Sequence, residues 1–418
     1  MVRRDVLVEI LHGNREMIAN MNVVKRNFTF HDEFRYVFVG VRRAGKSFLM
    51  FQRMQELLAQ GKTWNDMLYL NFEEDRLYGF DVYDFNTILE VHQEMGGNKP
   101  ILFLDEIQNI EGWDKFARRL ADQKYMVYIT GSNAKMLSSD VATTLGGRYI
   151  IQNVFPYSLS EYLEANGIDS DNLYFDDTIR QTYISDYIKH GGFPECATFS
   201  GKKEYLLSLY QKIFLGDIAV RNKVENSNAL RMMFMKMAES VMQPIALSRL
   251  TNIISTIGVK VSKNTIINYA GYAKDAFLIL PMVNFADAYT ERETNRKYYF
   301  IDNGIIDLLT MDCLTSQLEN IVAITLLRRY GLEDSVFFYN YNVEVDFVIP
   351  EMETAIQVCY TLGDEGGETY RRETTALEKL AKRFQYKKLI IITSNEEDTI
   401  EVGDAIIEVV PIWKWLLS

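Results

Sequence analysis

The chain has 418 residues, with 45 lysines and arginines against 57 aspartates and glutamates, for a net charge of −12. Hydrophobic residues make up 48% and charged residues 24%, which excludes a disordered, collagen-like or coiled-coil chain and leaves room for about two to four domains. Three cysteines (Cys196, Cys313, Cys359) and four histidines are widely scattered, so no structural metal site is expected and the thiols read as reduced, as in the cytoplasm.

The first seventeen residues are charged throughout and lack the apolar run of a leader peptide. No stretch of 18 apolar residues follows, so no membrane span is expected. Tyr36–Val39 reads as a buried strand. Ser47–Ala59 has helical periodicity, with Phe48, Leu49, Phe51, Met54, Leu57 and Leu58 on or near one face. Short apolar runs at Met67–Phe72, Ile101–Leu104, Met126–Thr130 and Tyr149–Ile151 continue the alternation of strand and helix. Such alternation predicts a parallel sheet covered on both faces.

Between the first strand and its helix lies Gly40-Val41-Arg42-Arg43-Ala44-Gly45-Lys46-Ser47, a complete GxxxxGK[ST] in the required strand–loop–helix setting. Its glycines let the backbone wrap so that successive N–H groups face phosphate oxygens, and the helix N-terminus adds positive charge. This assigns Gly40, Arg43, Ala44, Gly45, Lys46, Ser47 and Phe48 to nucleotide binding. Lys46 would neutralise the β- and γ-phosphates, and Ser47 would ligate Mg²⁺. The side chains of Arg42 and Arg43 read as solvated or inter-domain. Ile101–Leu104 runs into Asp105-Glu106, two carboxylates that a pleat would point to opposite sides. Asp105 suits the Mg²⁺ shell and Glu106 the attacking water. Ser132 or Asn133, at the end of a later strand, is placed to sense the γ-phosphate. Arg148, after Gly146-Gly147, is a candidate for stabilising transition-state charge, in cis or on a neighbouring subunit. No NKxD motif follows, so ATP is favoured over GTP.

After Phe155-Pro156 the character changes. Leu159–Tyr187 and Glu204–Arg221 are mostly helical, broken at His190–Pro194. From Glu225 to Tyr299 the chain carries 9 basic and 6 acidic residues. Here three amphipathic segments precede two strand-like runs, Phe277–Leu280 and Tyr298–Ile301, the pattern of a winged helix. Lys263–Lys274, capped by Ser262, would be its recognition helix. It carries Lys263, Asn264, Thr265, Asn268 and Lys274 as candidate DNA contacts. Tyr269, Tyr272, Ile266 and Ile267 suit a core role as easily, and protein contact or a purely structural role is the other reading.

From Phe300 to Ser418 there are 10 basic and 21 acidic residues, which weighs against an unaided grip on nucleic acid. The order is helix (Gln317–Tyr330), three strands (Val336–Tyr339, Val345–Ile349, Ala355–Tyr360), helix (Glu373–Phe384) and strand (Leu389–Ile392). This resembles a restriction-endonuclease fold, with Glu319, Asp346 and Gln357 in the acidic positions. Cys359 stands where such a site needs lysine, and Gln357 is a poorer ligand than a carboxylate.

GVRRAGKS, YLNFEEDRL, LFLDEIQNI, TGSNAKMLSSD, LGGRY, FPYSLSEYL, HGGFPE and YFIDNGI together resemble a bacterial and archaeal family of AAA-type P-loop ATPases with a C-terminal domain of unknown function. The resemblance implies an α/β fold: a P-loop NTPase parallel sheet of ASCE/AAA type, then a helical segment, a winged helix and a small, degenerate α/β nuclease-like domain. It also implies that the phosphate-binding and Asp-Glu strands flank the sensor strand, and that Asp302 and Gly304 are domain-joining residues. The chain has LGGR where the family more often has LAGR. The expected domains are 1–155 (P-loop ATPase), 156–224 (helical lid or linker), 225–300 (winged-helix-like) and 301–418 (nuclease-like). The functional expectation is a Mg²⁺-dependent ATPase whose nucleotide state moves the later modules, acting on DNA or with a protein partner or homo-oligomer. A slow ATP-binding switch, a DNA-binding regulator and an ATP-regulated nuclease are its rivals.

Overall fold

A computed structural model describes residues 2–133, 136, 139–287, 295–311, 313–332, 334–403 and 405–418. It contains two compact units, Met1–Phe155 and Pro156–Ser418.

The first unit is built on five parallel strands: β1 (Tyr36–Val39), β2 (Met67–Asn71), β3 (Ile101–Asp105), β4 (Val127–Gly131) and β5 (Ile150–Asn153), in the spatial order β2-β3-β4-β1-β5. Strand β4 thus lies between β1 and β3, as the resemblance implies. The period of two puts Tyr36 and Phe38 on the same face of β1. With Tyr128 and Phe103 they form a stacked aromatic layer, with 4.8 Å between the Phe103 and Tyr128 rings. Phe28 and Phe30 cover it edge-on. Helix Lys46–Ala59 buries Leu49, Met50, Met54 and Leu57, close to the predicted face. The N-terminal segment, unassigned from sequence, is a helix over Arg4–Ala19 that buries Leu7, Ile10, Leu11 and Ile18. Arg4, Asp5, Glu9 and Glu16 are exposed, and these charges obscure a 3.6-residue apolar stripe.

The second unit opens with helices. Ser158 caps Leu159–Ala165 in a reciprocal capping box with Glu161. Helices Asp177–His190 and Lys202–Lys212 follow, the latter widening into π turns over Ile213–Val220. Next come helices Ser227–Glu239, Leu247–Thr256 and Lys263–Asp275, then the antiparallel pair β6 (Ile279–Met282) and β7 (Lys297–Phe300). An isolated bridge joins Ile245 to Arg296. Ser262 caps Lys263–Asp275, its hydroxyl accepting the Thr265 N–H at 3.0 Å. Most of the turn between the two strand-like runs (residues 288–294) lies outside the described residues, as do residues 134, 135, 137 and 138 of the TGSNAKMLSSD stretch.

A second sheet completes the unit: β8 (Phe337–Asn340), β9 (Glu344–Ile349), β10 (Thr354–Val358), β11 (Lys388–Thr393), β12 (Asp398–Val402) and β13 (Ala405–Pro411), in the order β12-β13-β11-β10-β9-β8. Strands β10, β11 and β13 run parallel, whereas β8, β9 and β12 pair antiparallel. Helices Leu314–Tyr330 and Glu368–Phe384 belong to the same unit. Strands β12 and β13 and the final helix Ile412–Leu417 were not anticipated.

Candidate functional site

Strand β1 delivers the chain into a turn over residues 40–45. The turn closes so tightly on β5 that a Cβ at Gly40 would lie 2.2 Å from the Val154 carbonyl oxygen, so only glycine fits. Gly45 adopts φ 93° and Arg43 φ 62°, both left-handed. Glycine tolerates this freely, while for Arg43 it costs about 1 kcal/mol. Left-handed residues set among right-handed ones form the backbone concavity whose N–H groups converge on an anion. Ala44 is fully buried, and its carbonyl accepts a 2.9 Å bond from the buried Arg26 guanidinium, which also donates to Phe155 O at 2.7 Å. Arg26, missed from sequence, therefore braces the loop from below. Its signal was weak: one cation in a segment of no assigned structure.

Lys46 opens the helix. Its ammonium is buried and donates to the loop's own Gly40 and Val41 carbonyls, both at 3.1 Å, and lies 3.7 Å from Glu106 Oε1. The Ser47 hydroxyl lies near enough to the Asp105 carboxylate to favour its charged form. Asp105 ends β3 fully buried, accepting from Tyr69 Oη at 2.7 Å and from Thr130 Oγ1. Burial, and after it the charge of Glu106, hold Asp105 above the usual carboxylate range against those hydrogen bonds.

Glu106 departs from the pleat argument: β3 ends at Asp105, and Glu106 takes a left-handed conformation (φ 51°) whose N–H donates to Thr130 Oγ1 at 2.9 Å. That kink brings both carboxylates to the same loop, Asp105 at Ser47 and Glu106 at Lys46, instead of splitting them across the sheet. Burial disfavours the charged Glu106. Lys46, then the Gln108 amide that donates to it and the nearby Ser132 hydroxyl, outweigh it and hold Glu106 below its ordinary value. Two adjacent carboxylates are thus pushed in opposite directions, the environment that separates their roles.

Ser132 and Asn133 are buried just past the end of β4, between the loop strand and the Asp105 strand. Arg42 pairs with Glu73 at 3.2 Å, and its charge also reaches Glu106. Phe48 is exposed and packs its ring 5.5 Å from Phe51. Arg148 is not brought to this site within one chain. It bonds Asp122 at 2.7 Å and precedes Ile150, which sits opposite Tyr36 at the start of β1. The phosphate loop leaves the other end of that strand.

A second cluster lies in the second unit. Glu319 on helix Leu314–Tyr330 and Asp346 on β9 converge as expected, but on a lysine the sequence reading did not assign. Lys297 of β7 is fully buried, with its ammonium 3.1 Å from Glu319 Oε1, 3.2 Å from Asp346 Oδ1 and 3.6 Å from Glu344 Oε1. Its burial disfavours charge, yet Glu319, Asp346 and Glu344 more than compensate and raise its pKa. The available clue was a lone cation in an aromatic strand, two residues from Tyr299, whose hydroxyl also donates to Glu319 at 2.8 Å. Cys359 is buried just past β10, with burial pushing its thiol up to about 12, which makes it an inert packing residue.

Glu373, on helix Glu368–Phe384, lines a cavity together with Glu319 and Asp346. Burial first, then Asp346, push its carboxyl up to about 7. A carboxyl raised in the fold favours folding below its unfolded pKa of about 4.3 and loses that advantage as pH rises toward 7. Glu373→Gln should therefore flatten the fall in stability of this unit between pH 4.5 and 7.5 by up to about 3 kcal/mol. Chemical denaturation of both proteins across that range checks it, and parallel pH curves would contradict it.

These features define the class: the AAA domain family matches residues 33–163, and a domain of unknown function, DUF8612, matches residues 181–313. The latter covers the helices and the β6–β7 hairpin and ends before the second sheet. An uncharacterized protein of Methanocaldococcus jannaschii is 32% identical over 439 residues, spanning 100% of this chain and 97% of its own length. One of Haemophilus influenzae is 32% identical over 421 residues, spanning 97% and 100%. The chain belongs to the family of these archaeal and bacterial proteins, an AAA-type P-loop domain joined to a distinct domain of unknown function. Among solved structures, a Walker-type ATPase of Pyrococcus abyssi overlaps 74% of this chain and 96% of its own at 14% identity and TM-score 0.40. The Aeropyrum pernix Orc1 protein, solved with DNA, overlaps 76% and 98% at 13% identity and TM-score 0.28. These overlaps are too loose to carry an argument. Among the described residues no helix is long and apolar enough to cross a membrane.

Proposed function

We propose that the chain is a Mg²⁺-dependent ATPase in which Lys46, Ser47, Asp105 and Glu106 perform the chemistry. The observation that carries this reading is the convergence of those four side chains at one end of β1 and β3, beside a backbone turn shaped for an anion. Arrival of a triphosphate gives the Lys46 ammonium phosphate oxygens in place of the Gly40 and Val41 carbonyls it now contacts. Ser47 and Asp105 fit a divalent cation, being an adjacent hydroxyl and a buried carboxylate whose charge only such a partner would fully offset. When bound, Mg²⁺ would neutralise phosphate charge there. Glu106, held ionised by Lys46, accepts the proton of the attacking water. Ser132 and Asn133 orient the γ-phosphate side of the site.

In the same reading, residues 225–300 form a winged helix. Helix Lys263–Asp275 buries Ile266 and Tyr269 and exposes Lys263, Asn264, Asn268 and Lys274 together, the face DNA would meet. Arg148 serves a neighbouring subunit if the protein oligomerises, and the compartment is the cytoplasm. Equilibrium binding of a fluorescent ATP analogue tests the core of the proposal. ATP should compete, GTP should compete poorly, and Lys46→Ala should abolish binding. Undiminished affinity in Lys46→Ala would overturn it.

A further inference from the structure

The carboxylate cluster of the second unit has the placement of a metal-dependent nuclease centre but not its chemistry. A divalent cation needs several oxygens free to turn toward it. Here nearly all are engaged within the protein. Asp346 Oδ1 faces Lys297, and Oδ2 accepts the Val358 N–H at 2.9 Å. Gln357, standing where a second carboxylate is needed, is spent on backbone: its Oε1 accepts the Asp346 N–H at 2.8 Å, and its Nε2 donates to Glu344 O at 3.0 Å. Glu319 Oε1 accepts from both Lys297 and Tyr299. Within this cluster, Glu319 Oε2 is buried with no hydrogen-bond partner. Glu373 is turned to Arg372. Among the described residues no group of three or more histidine, cysteine, aspartate or glutamate side chains could hold a metal ion.

The position is nevertheless built for a cation. Three carboxylates surround one point, and a cavity of about 530 Å³ opens beside it, lined in part by Glu319, Glu344, Asp346, Glu373, Arg371 and Arg372. We propose that the Lys297 ammonium is itself the cation of this centre, a permanent replacement for the metal that this nuclease-like fold would otherwise hold. Lysine in a catalytic nuclease centre positions water beside the metal. Lys297 instead enters from β7, outside the strand that carries Gln357, and sits at the focus of the acids. One monovalent, covalently tethered charge pairs with Glu319 Oε1 and Asp346 Oδ1 without polarising any phosphate. The domain is then closed to metal and cleaves nothing, and its cavity is left as a binding surface. This inference rests on the nuclease-like reading of the second sheet and is independent of the ATPase reading.

The test is Mn²⁺ binding by the full chain, followed by electron paramagnetic resonance without nucleotide. The Asp105→Asn background silences the phosphate site. The parent should bind no Mn²⁺ at the second sheet. Lys297→Met, which keeps most of the length of the side chain and removes its charge, should gain one Mn²⁺ per chain, and adding Asp346→Asn should abolish the gain. A Mn²⁺ ion bound by the parent and lost in Asp346→Asn would overturn the proposal, as would a folded Lys297→Met protein that gains none. Should Lys297→Met fail to fold, the parent still decides: Mn²⁺-dependent plasmid cleavage that Asp346→Asn removes would overturn the proposal, and its absence together with absent Mn²⁺ binding supports it.

Discussion

Replacing Glu106 by glutamine is expected to lower ATP turnover by about 10²–10⁴-fold, the usual loss when a general base is removed. Affinity for ATP should change little. The substitution keeps the shape and the contact with Gln108 but removes the charge opposite Lys46. With that charge gone, Lys46 is freer to meet phosphate, so any shift in binding should be toward tighter binding. Hydrolysis measured with saturating Mg²⁺ and ATP, alongside equilibrium nucleotide binding, separates the two effects. A variant turning over within a few-fold of the parent would assign the water to another group. It would also revive the reading of the protein as a slow switch, for which Glu106 is dispensable.

The second large effect falls on the second unit. Gly192→Ala should destabilise it by about 2–4 kcal/mol. The added Cβ would lie 2.3 Å from the Tyr157 carbonyl oxygen, which is backbone and has no rotamer to escape into. Gly192 also anchors a closed junction. Its N–H donates to Asp302 Oδ2 at 2.7 Å while Asp302 Oδ1 accepts the Gly304 N–H at 2.9 Å. A Cβ at Gly191 would lie 1.8 Å from Asp302 Oδ1, and one at Gly304 2.5 Å from the His190 carbonyl oxygen. Three glycines and one buried aspartate thus tie the loop after helix Asp177–His190 to the start of helix Asn303–Leu309. Gly271→Ala is the control in the same unit. It meets nothing within 4 Å inside helix Lys263–Asp275 and should stabilise by about 0.5–1 kcal/mol. Thermal unfolding of both variants checks the pair, and equal midpoints would contradict the account.

The parallel sheet and its phosphate loop were legible because their signals are local. Apolar strands, a glycine spacing and an acidic strand end each lie within one short window. The positions of Asp302 and Gly304 gave a junction its address but not its lock, since the partners Gly191 and Gly192 are more than a hundred residues away. Glu106 was assigned to the site by its place after Asp105, although the pleat argument pointed it elsewhere; its left-handed backbone is set by Thr130 on a neighbouring strand, which no short window contains. Lys297 and Arg26 could not be placed for the same reason. A single buried cation announces itself only through partners that folding brings together. Helix Arg4–Ala19 was missed because its exposed charges masked four apolar residues at helical spacing.

The central claim is that the loop over residues 40–47 and the acids at 105 and 106 form one hydrolytic centre. Steady-state release of phosphate from ATP with Mg²⁺, with and without double-stranded DNA, tests it most directly. The account predicts turnover in the parent, none in Lys46→Ala, and an increase with DNA if the exposed face of helix Lys263–Asp275 engages it. Turnover that persists in Lys46→Ala, or a parent that binds ATP and releases no phosphate under either condition, would contradict it.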